Sequence, residues 1–347
     1  MKKSVIVISI IVALVSWQCS RTISEPSLKQ SVEDGVAKIN TALSEISQTR
    51  GYELMSVTGD MTKAEEVYND SITLDLIAGV YEFQPDTFIC HHYRKPFWRF
   101  NKTDNSEMMV VKMPRRMIFH PRYLYNVNPP DSVLKNDFTI TASDYHFYYS
   151  LWSQYDYRLT AGFALDNEDV GTLDVTAAGN TFADKSYSSR FAFTDDYSVE
   201  VSFERGDTST SSFALMKGDE PLLEEESMFI WKDFHQSERK YTLTIGNIDI
   251  VRTTGIDSIQ VFLDGVLQKT AAVKITDPEN NDGSICHRRD ILLTFDDGTT
   301  AKLSELIGPA LETLKTLVDS MRSMYFAQHV VDYIALNIYY QPYFNRH

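Results

Sequence analysis

The chain has 347 residues, of which 43% are hydrophobic and 23% are charged, so it belongs to the globular class and not to the disordered or fibrous classes. Its formal net charge of −15 repels nucleic acid and anionic lipid headgroups. We therefore expect no nucleic-acid partner and no electrostatic contribution to membrane attachment.

The first eighteen residues have the pattern of a signal peptide. Lys2 and Lys3 precede an apolar run over residues 5–15, which corresponds to the basic and apolar regions of an export signal. The run is too short to cross a bilayer, which requires about 20 apolar residues. We therefore predict that residues 1–18 are removed on export.

Cys19 follows this apolar run and resembles the lipobox cysteine of bacterial lipoproteins. The resemblance implies cleavage just before Cys19, a diacylglycerol on its thiol, and residues 19–27 as a short tether to a membrane. The Ser-Trp-Gln segment before Cys19 departs from the aliphatic and small residues that the family prefers. An ordinary cleaved signal is the alternative. Ser20, which stands where Asp would retain a lipoprotein in the inner membrane, implies the outer membrane and leaves its face open.

An amphipathic helix is predicted directly after the tether. The apolar residues that share one helical stripe, because they are spaced by three or four, are Leu28, Val32, Val36, Ile39, Leu43 and Ile46. Gly51 is a suitable stop for this helix. We expect the stripe to pack against the chain's own domain.

Residues 72–300 have mainly the pattern of β-strands. Apolar residues alternate in several short segments, beginning with residues 72–80, and turn residues separate the segments. Asp264-Gly265 and Asp297-Gly298 are the clearest hairpin turns. Closely spaced strands with short turns predict an antiparallel sandwich or a curved, barrel-like sheet.

The C-terminal region changes its period. Apolar residues from Leu303 to Met324 follow helical spacing, whereas Val330, Ile334, Leu336, Ile338 and Tyr340 lie on alternate positions. The second segment predicts a last strand, with a continuing helix as the alternative. The fold class is therefore mainly β with flanking helices (α+β), in a single domain over residues 28–347 with a weak boundary signal near 130–136.

Two cysteines remain besides Cys19. In an exported chain, Cys90 and Cys286 could form a disulfide, or both could be reduced and buried. Histidines lie beside both cysteines, but adjacent residues of a strand point to opposite faces and are poorly placed to share one ion. We expect no metal and no cofactor.

The densest aromatic run is the first place to look for a ligand. Its residues that could line a cleft or stack on sugar rings are Tyr145, Tyr148, Tyr149, Trp152 and Tyr155. The alternative is a core strand with tyrosine hydroxyls at its edge. The Arg205-Gly206-Asp207 tripeptide lies between two predicted strands and needs no role beyond a turn.

Three classes of function remain. The sequence contains none of the common motifs for a nucleophilic serine, a zinc helix or a nucleotide-binding loop. We therefore favour a non-enzymatic binding or assembly lipoprotein of the cell envelope, with an unknown protein or glycan ligand. The alternatives are a carrier of an apolar ligand in a curved sheet, and a polysaccharide-acting enzyme or glycan-binding module.

Overall fold

A computed structural model describes most of the chain from Ser27 onward. The described residues are 27–56, 70–84, 100–115, 135–150, 154–180, 184–233, 236–256, 259–276, 290–308, 310–323 and 325–344. They form one large sheet, a small second sheet and several helices, and this mainly β architecture confirms the predicted fold class. The predicted boundary near 130–136 falls largely outside the described residues.

Fifteen strands of the described residues form the large sheet. In chain order they are β1 (Asp70–Thr73), β2 (Gly79–Phe83), β3 (Phe100–Asp104), β4 (Met109–Met113), β5 (Phe138–Tyr149), β6 (Tyr155–Leu165), β7 (Glu168–Gly179), β8 (Lys185–Ala192), β9 (Tyr197–Arg205), β10 (Thr208–Lys217), β11 (Glu220–Asp233), β12 (Gln236–Ile245), β13 (Ile248–Thr253), β14 (Gln260–Leu263) and β15 (Val266–Leu267). The small sheet contains β16 (Ala272–Thr276), β17 (Asp290–Thr294) and β18 (Thr300–Lys302).

From β5 to β15 the sheet is a meander, in which each strand pairs antiparallel with the next one along the chain. Short turns make this possible. Asp166 and Asn167 between β6 and β7 have φ of 52° and 67°, and Asp264 and Gly265 between β14 and β15 have φ of 49° and 75°. Positive φ at both central residues is typical of the tight turns that match strand twist. The predicted Asp264-Gly265 hairpin is confirmed.

The first helix, α1 (Leu28–Ser47), begins where the sequence predicts. The Ser27 side chain accepts a hydrogen bond from the Gln30 backbone N–H at 3.3 Å and caps the helix. All six apolar residues of the predicted stripe are buried. Helix α1 ends at Ser47 and not at Gly51. Thr49 caps a second short helix, α2 (Arg50–Met55), in which Gly51 packs against the backbone of Val170.

The prediction of one continuous strand over residues 72–80 is wrong. A single helical turn, α3 (Leu74–Ile77), separates β1 from β2, and Leu76 is 49% exposed. Alternation here arises from two short strands that lie on either side of a turn. A strand pattern in the sequence therefore does not report whether the backbone continues straight.

The last strand predicted near residues 330–340 is also wrong, and the alternative of a helix is confirmed. The chain ends in α4 (Leu303–Ile307), α5 (Ala310–Ser323) and α6 (Tyr325–Phe344). In α6 the buried residues Ala327, Val330, Val331, Ile334 and Ala335 recur at helical spacing. The small residues Ala327 and Ala335 complete a helical stripe, whereas counting only large apolar side chains produces an apparent alternation.

The helices pack on one face of the large sheet. Helix α1 contacts β11 and β12, α2 contacts β7, and α5 contacts β9. The contact is close at Gly35, where a Cβ atom would lie 2.9 Å from the Ile245 side chain. We call the side on which the helices pack the covered face of the sheet. No helix among the described residues is long and apolar enough to cross a membrane.

Candidate functional site

The helices cover only part of this face along β8–β13. Near the turns that lie beside α1, one row of directly paired residues crosses the sheet and is buried in every strand. That row consists of Phe191, Val199, Leu215, Leu223, Ile245 and Ile248. Toward the opposite ends of the strands, the same face becomes exposed.

Two exposed rows on this uncovered end carry a distinct set of side chains. Residues two apart in a strand share a face, and directly paired residues do too, so the pairing register places them together. One row runs from Tyr187 through Phe203 and Tyr241 to Arg252. The other runs from Lys185 and Arg205 through Phe229 to Arg239.

We name this surface the aromatic–basic face. With Trp231, which follows Phe229 on the same side of β11, its side chains are Lys185, Tyr187, Phe203, Arg205, Phe229, Trp231, Arg239, Tyr241 and Arg252. Serines occupy the positions between them on β10 and β11, namely Ser209, Ser211 and Ser227. Small side chains leave the rings and cations standing above the sheet surface.

Trp231 and Phe203 are the exposed aromatic residues of the face, whereas Tyr187, Phe229 and Tyr241 are half-buried. Trp231 is 61% exposed and Phe203 is 38% exposed. The ring centroids of Phe229 and Trp231 lie 4.4 Å apart in an edge-to-face arrangement, and the Arg239 guanidinium carbon lies 5.2 Å from the centre of the Phe229 ring. Edge-to-face packing and the cation–π contact fix the directions of these side chains before any ligand arrives.

The cations of the face have no carboxylate in salt-bridge contact among the described residues. Within the described part of the chain, Lys185, Arg205, Arg239 and Arg252 form no ion pair. Lys185 and Arg205 even lie directly opposite each other on β8 and β9. Four cations without ion pairs on one face are a local exception in a chain whose net charge is −15.

The other side of the same sheet shows the usual arrangement. There Arg190 on β8 pairs with Glu200 on β9 at 3.1 Å, and Arg158 on β6 pairs with Asp144 on β5 at 2.6 Å. In each of these cross-strand pairs the carboxylate neutralises the arginine. The opposite face therefore contains cross-strand ion pairs of a kind that the described residues of the aromatic–basic face lack.

Two carboxylates lie near the face, namely Glu225 and Asp184, whose side chain lies beside Gly206. Glu225 is exposed on β11 and accepts a hydrogen bond from the Tyr241 hydroxyl. Burial, followed by the negative charge of Glu225, raises the pKa of Tyr241 well above its usual value, so the hydroxyl remains a donor. Glycoside hydrolysis requires two carboxyl groups about 5–10 Å apart, and the two rows named above consist of aromatic, basic and serine side chains.

Tyr145, the first residue of the aromatic run that was predicted as a ligand site, is buried against helix α6. Tyr145 is 1% exposed, and its hydroxyl donates a hydrogen bond to Oδ1 of Asp332 on α6 at 3.1 Å. Tyr157, which the site prediction omitted, donates to the same oxygen at 3.0 Å. Burial first, and then the Asp332 charge, raise the pKa of both tyrosines well above the usual value. These contacts join the sheet to α6.

The other described residues of that predicted site are less buried than Tyr145. Tyr148, Tyr149 and Tyr155 are half-buried, and the Tyr155 ring is parallel to that of Tyr157 with centroids 6.5 Å apart. Trp152 lies outside the described residues, as do Cys19, Cys90 and Cys286. Lipidation of Cys19 and a bond between the other two cysteines therefore stay predictions.

A surface cavity of about 540 Å³ lies where α1 meets α2. Its lining includes Glu45, Arg50, Glu168 and Asp195. Arg50 is already paired with Asp166 at 2.8 Å and with Glu168 at 2.6 Å. No three His, Cys, Asp or Glu side chains among the described residues are arranged to hold a metal ion. The arginine of this cavity is therefore already ion-paired, unlike the four cations of the aromatic–basic face.

Comparison with known proteins assigns no family. The chain matches no protein-family profile, no curated protein and no solved structure. The aromatic–basic face must therefore be interpreted from its own chemistry.

Proposed function

We propose that this chain is an exported, lipid-anchored binding protein of the bacterial cell envelope that holds an anionic ligand on its aromatic–basic face. The observation that carries the proposal is the set of four cations that share this face and form no ion pair within the part of the chain that the structure describes. Like charges placed directly opposite each other destabilise a sheet. An arrangement that costs stability is expected where a ligand supplies the missing negative charge.

The N-terminal sequence pattern supports the proposed export of the protein and its attachment to a membrane. The proposed anchor on Cys19 lies eight residues before Ser27, which caps α1. Eight extended residues reach at most about 28 Å, so the domain stays close to its membrane. We propose the outer membrane, on the basis of Ser20, and leave its face open.

Binding is better supported than transport of an apolar ligand or hydrolysis of a polysaccharide. An apolar carrier requires an empty space between sheet and helices, but the described part of the covered face is filled by side chains such as Leu215, Ile245 and Ile334. A glycan hydrolase requires a pair of carboxylates, whereas the two rows consist of aromatic, basic and serine side chains. The exposed rings of Phe203 and Trp231 and the unpaired cations favour a binding protein over an enzyme.

The decisive experiment measures binding of the full-length protein in detergent micelles to soluble polymers. We expect polygalacturonate and polyglutamate to bind, neutral dextran not to bind, and affinity to fall steeply with added salt, because exposed charges are screened. Arg205→Ala and Arg239→Ala should each weaken binding by about tenfold, which corresponds to about 1.4 kcal/mol. Arg190→Ala, on the opposite side of β8, is the matched control and should leave affinity unchanged.

Two outcomes would overturn the proposal. One is the absence of binding to either anionic polymer at low salt, and the other is equal weakening by Arg190→Ala and Arg205→Ala. The anchor is tested separately by intact mass and membrane fractionation of wild type and Cys19→Ala. A wild-type protein that is soluble and carries no lipid would exclude the anchor.

A further inference from the structure

We infer that the ligand is a linear acidic polysaccharide that runs across strands β8–β13 along the two exposed rows. This inference rests on the proposed function, because it specifies which anion the same face binds. It combines the spacing of the cations, the position of the aromatic rings and the height of the neighbouring helices.

The cations are too far apart to converge on one small anion. Neighbouring strands lie about 4.8 Å apart, so the five intervals from Lys185 on β8 to Arg252 on β13 span about 24 Å. Lys185 and Arg205 form one positive point at one end, and Arg239 and Arg252, on adjacent strands, form another. A single phosphate or carboxylate needs its donors within hydrogen-bond distance. Positive points at two ends suit a chain that carries charge at intervals.

Aromatic rings lie between and beside these two points. Phe203 and Phe229 occupy the rows between the cations, and Trp231 extends from the end of β11. Exposed ring faces bind the apolar C–H faces of sugars, whereas they offer little to a bare polyphosphate or polycarboxylate. A ligand with alternating apolar faces and acidic groups, such as a uronic acid polymer, uses both kinds of side chain.

The face is recessed beside the helix layer. The buried row from Phe191 to Ile248 lies beneath helices, and the exposed rows follow farther along the same strands. Because a helix with its side chains is about 10 Å thick, the helix layer stands above the neighbouring face by about that height. A flat bilayer surface cannot reach such a recess along its whole length, whereas a narrow polymer can lie in it.

Two other kinds of anion compete with a uronic acid polymer for this face. Single-stranded nucleic acid also combines stacking with one negative charge per residue, so it shares both features of the proposed ligand. Lipid surfaces are anionic and flat. Both are therefore included as arms of the test and not as part of the proposal.

The test uses full-length protein in detergent micelles for soluble probes and reconstituted protein for vesicles. The probes are polygalacturonate, its defined oligomers, polyglutamate of equal charge, a single-stranded DNA oligomer and anionic lipid vesicles. We expect polygalacturonate to bind about tenfold more tightly than polyglutamate, because ring stacking adds to charge pairing. Affinity should rise with oligomer length until the chain spans about 24 Å, and then level off.

Variants separate the aromatic contribution from the ionic one. Trp231→Ala should remove most of the preference for polygalacturonate while affinity for polyglutamate changes less than twofold. Arg239→Ala should weaken both polymers, and Arg190→Ala should weaken neither. Because these side chains are exposed, circular dichroism and thermal melting should show unchanged folding. Phe203→Ala, at a side chain that is 38% exposed, provides a second aromatic variant should Trp231→Ala fail to fold.

Each result distinguishes the two levels of the proposal. If polygalacturonate and polyglutamate bind equally and Trp231→Ala has no effect, an anion binds here but the polysaccharide inference is wrong. Tighter binding of DNA or of vesicles than of polygalacturonate also overturns it. If no anionic polymer binds, the proposed function itself fails.

Discussion

Lys185 on β8 lies directly opposite Arg205 on β9, so two side chains of like charge face each other across an antiparallel pair. Cross-strand like charges destabilise a sheet by a few tenths of a kcal/mol, up to about 1 kcal/mol. Without a bound anion, the Lys185–Arg205 pair therefore lowers the stability of the sheet.

Exchanging one of these charges should improve stability and impair binding. We expect Lys185→Glu to raise the free energy of unfolding by about 0.5 kcal/mol, because it converts a repulsive pair into an attractive one. The same change should weaken binding of polygalacturonate. Urea unfolding and a binding titration on one preparation would measure both. Equal or lower stability of Lys185→Glu would show that the pair carries no strain.

The contact of Tyr157 and Tyr145 with Asp332 should contribute to docking of α6. Tyr157→Phe removes one hydrogen bond to Oδ1 of Asp332 and is expected to cost about 1 kcal/mol. Asp332→Ala leaves two buried hydroxyls without their acceptor and should cost about 2–3 kcal/mol. Chemical denaturation measures both values. Tyr148→Phe, at a half-buried position, is the control and should change stability by less than about 0.5 kcal/mol.

The same tyrosines should make the fold sensitive to alkali. Burial and the Asp332 charge raise the pKa of Tyr145 and Tyr157 in the folded state, whereas in the unfolded chain tyrosine ionises near pH 10. Their contribution is fully present below pH 10, and it is lost as the pH rises, because the unfolded state releases its protons first. Stability should then fall by about 1.4 kcal/mol per pH unit for each such tyrosine.

Comparison of wild type and Tyr157→Phe isolates this effect. Urea unfolding at pH 8 and at pH 11 should show a smaller loss of stability in the variant, since one raised pKa has been removed. Other tyrosines with raised pKa values, such as Tyr81 and Tyr241, remain in both proteins and cancel in the comparison. Identical losses in the two proteins would contradict the assignment.

Gly51 should be required for the packing of α2 against the sheet. A Cβ atom at Gly51 would lie 2.5 Å from the carbonyl oxygen of Val170, and backbone cannot move as easily as a side chain. We expect Gly51→Ala to cost about 1–3 kcal/mol in thermal or chemical unfolding. Gly162→Ala on β6, where no atom lies within 4 Å of the added Cβ, should be neutral or slightly stabilising.

Much of the fold could be predicted from local patterns. The six apolar residues of α1 lie on one stripe whatever the rest of the chain does, and Asp264-Gly265 permits the positive φ values that its turn requires. A helix over α6 was only the alternative prediction, because the larger apolar residues fall on alternate positions within it. Its helical spacing is seen only when the buried small residues Ala327 and Ala335 are counted, and their burial is a tertiary property.

The aromatic–basic face was missed for a different reason. Net charge averages over the whole surface, and a value of −15 conceals four cations that the pairing register brings together. The sequence contained a signal in the alternating pairs of aromatic and basic residues at strand ends, such as Lys185 with Tyr187 and Phe203 with Arg205. Their convergence depends on the register of six strands, which the sequence does not specify.

Because consecutive strands of the meander pair with each other, all nine side chains that define the aromatic–basic face come from residues 185–252. The buried ends of the same strands keep the core and its helices in place. Ligand preference can therefore diverge between descendants of this protein through changes confined to one uninterrupted block of the gene, and such a block can be exchanged between relatives as a unit.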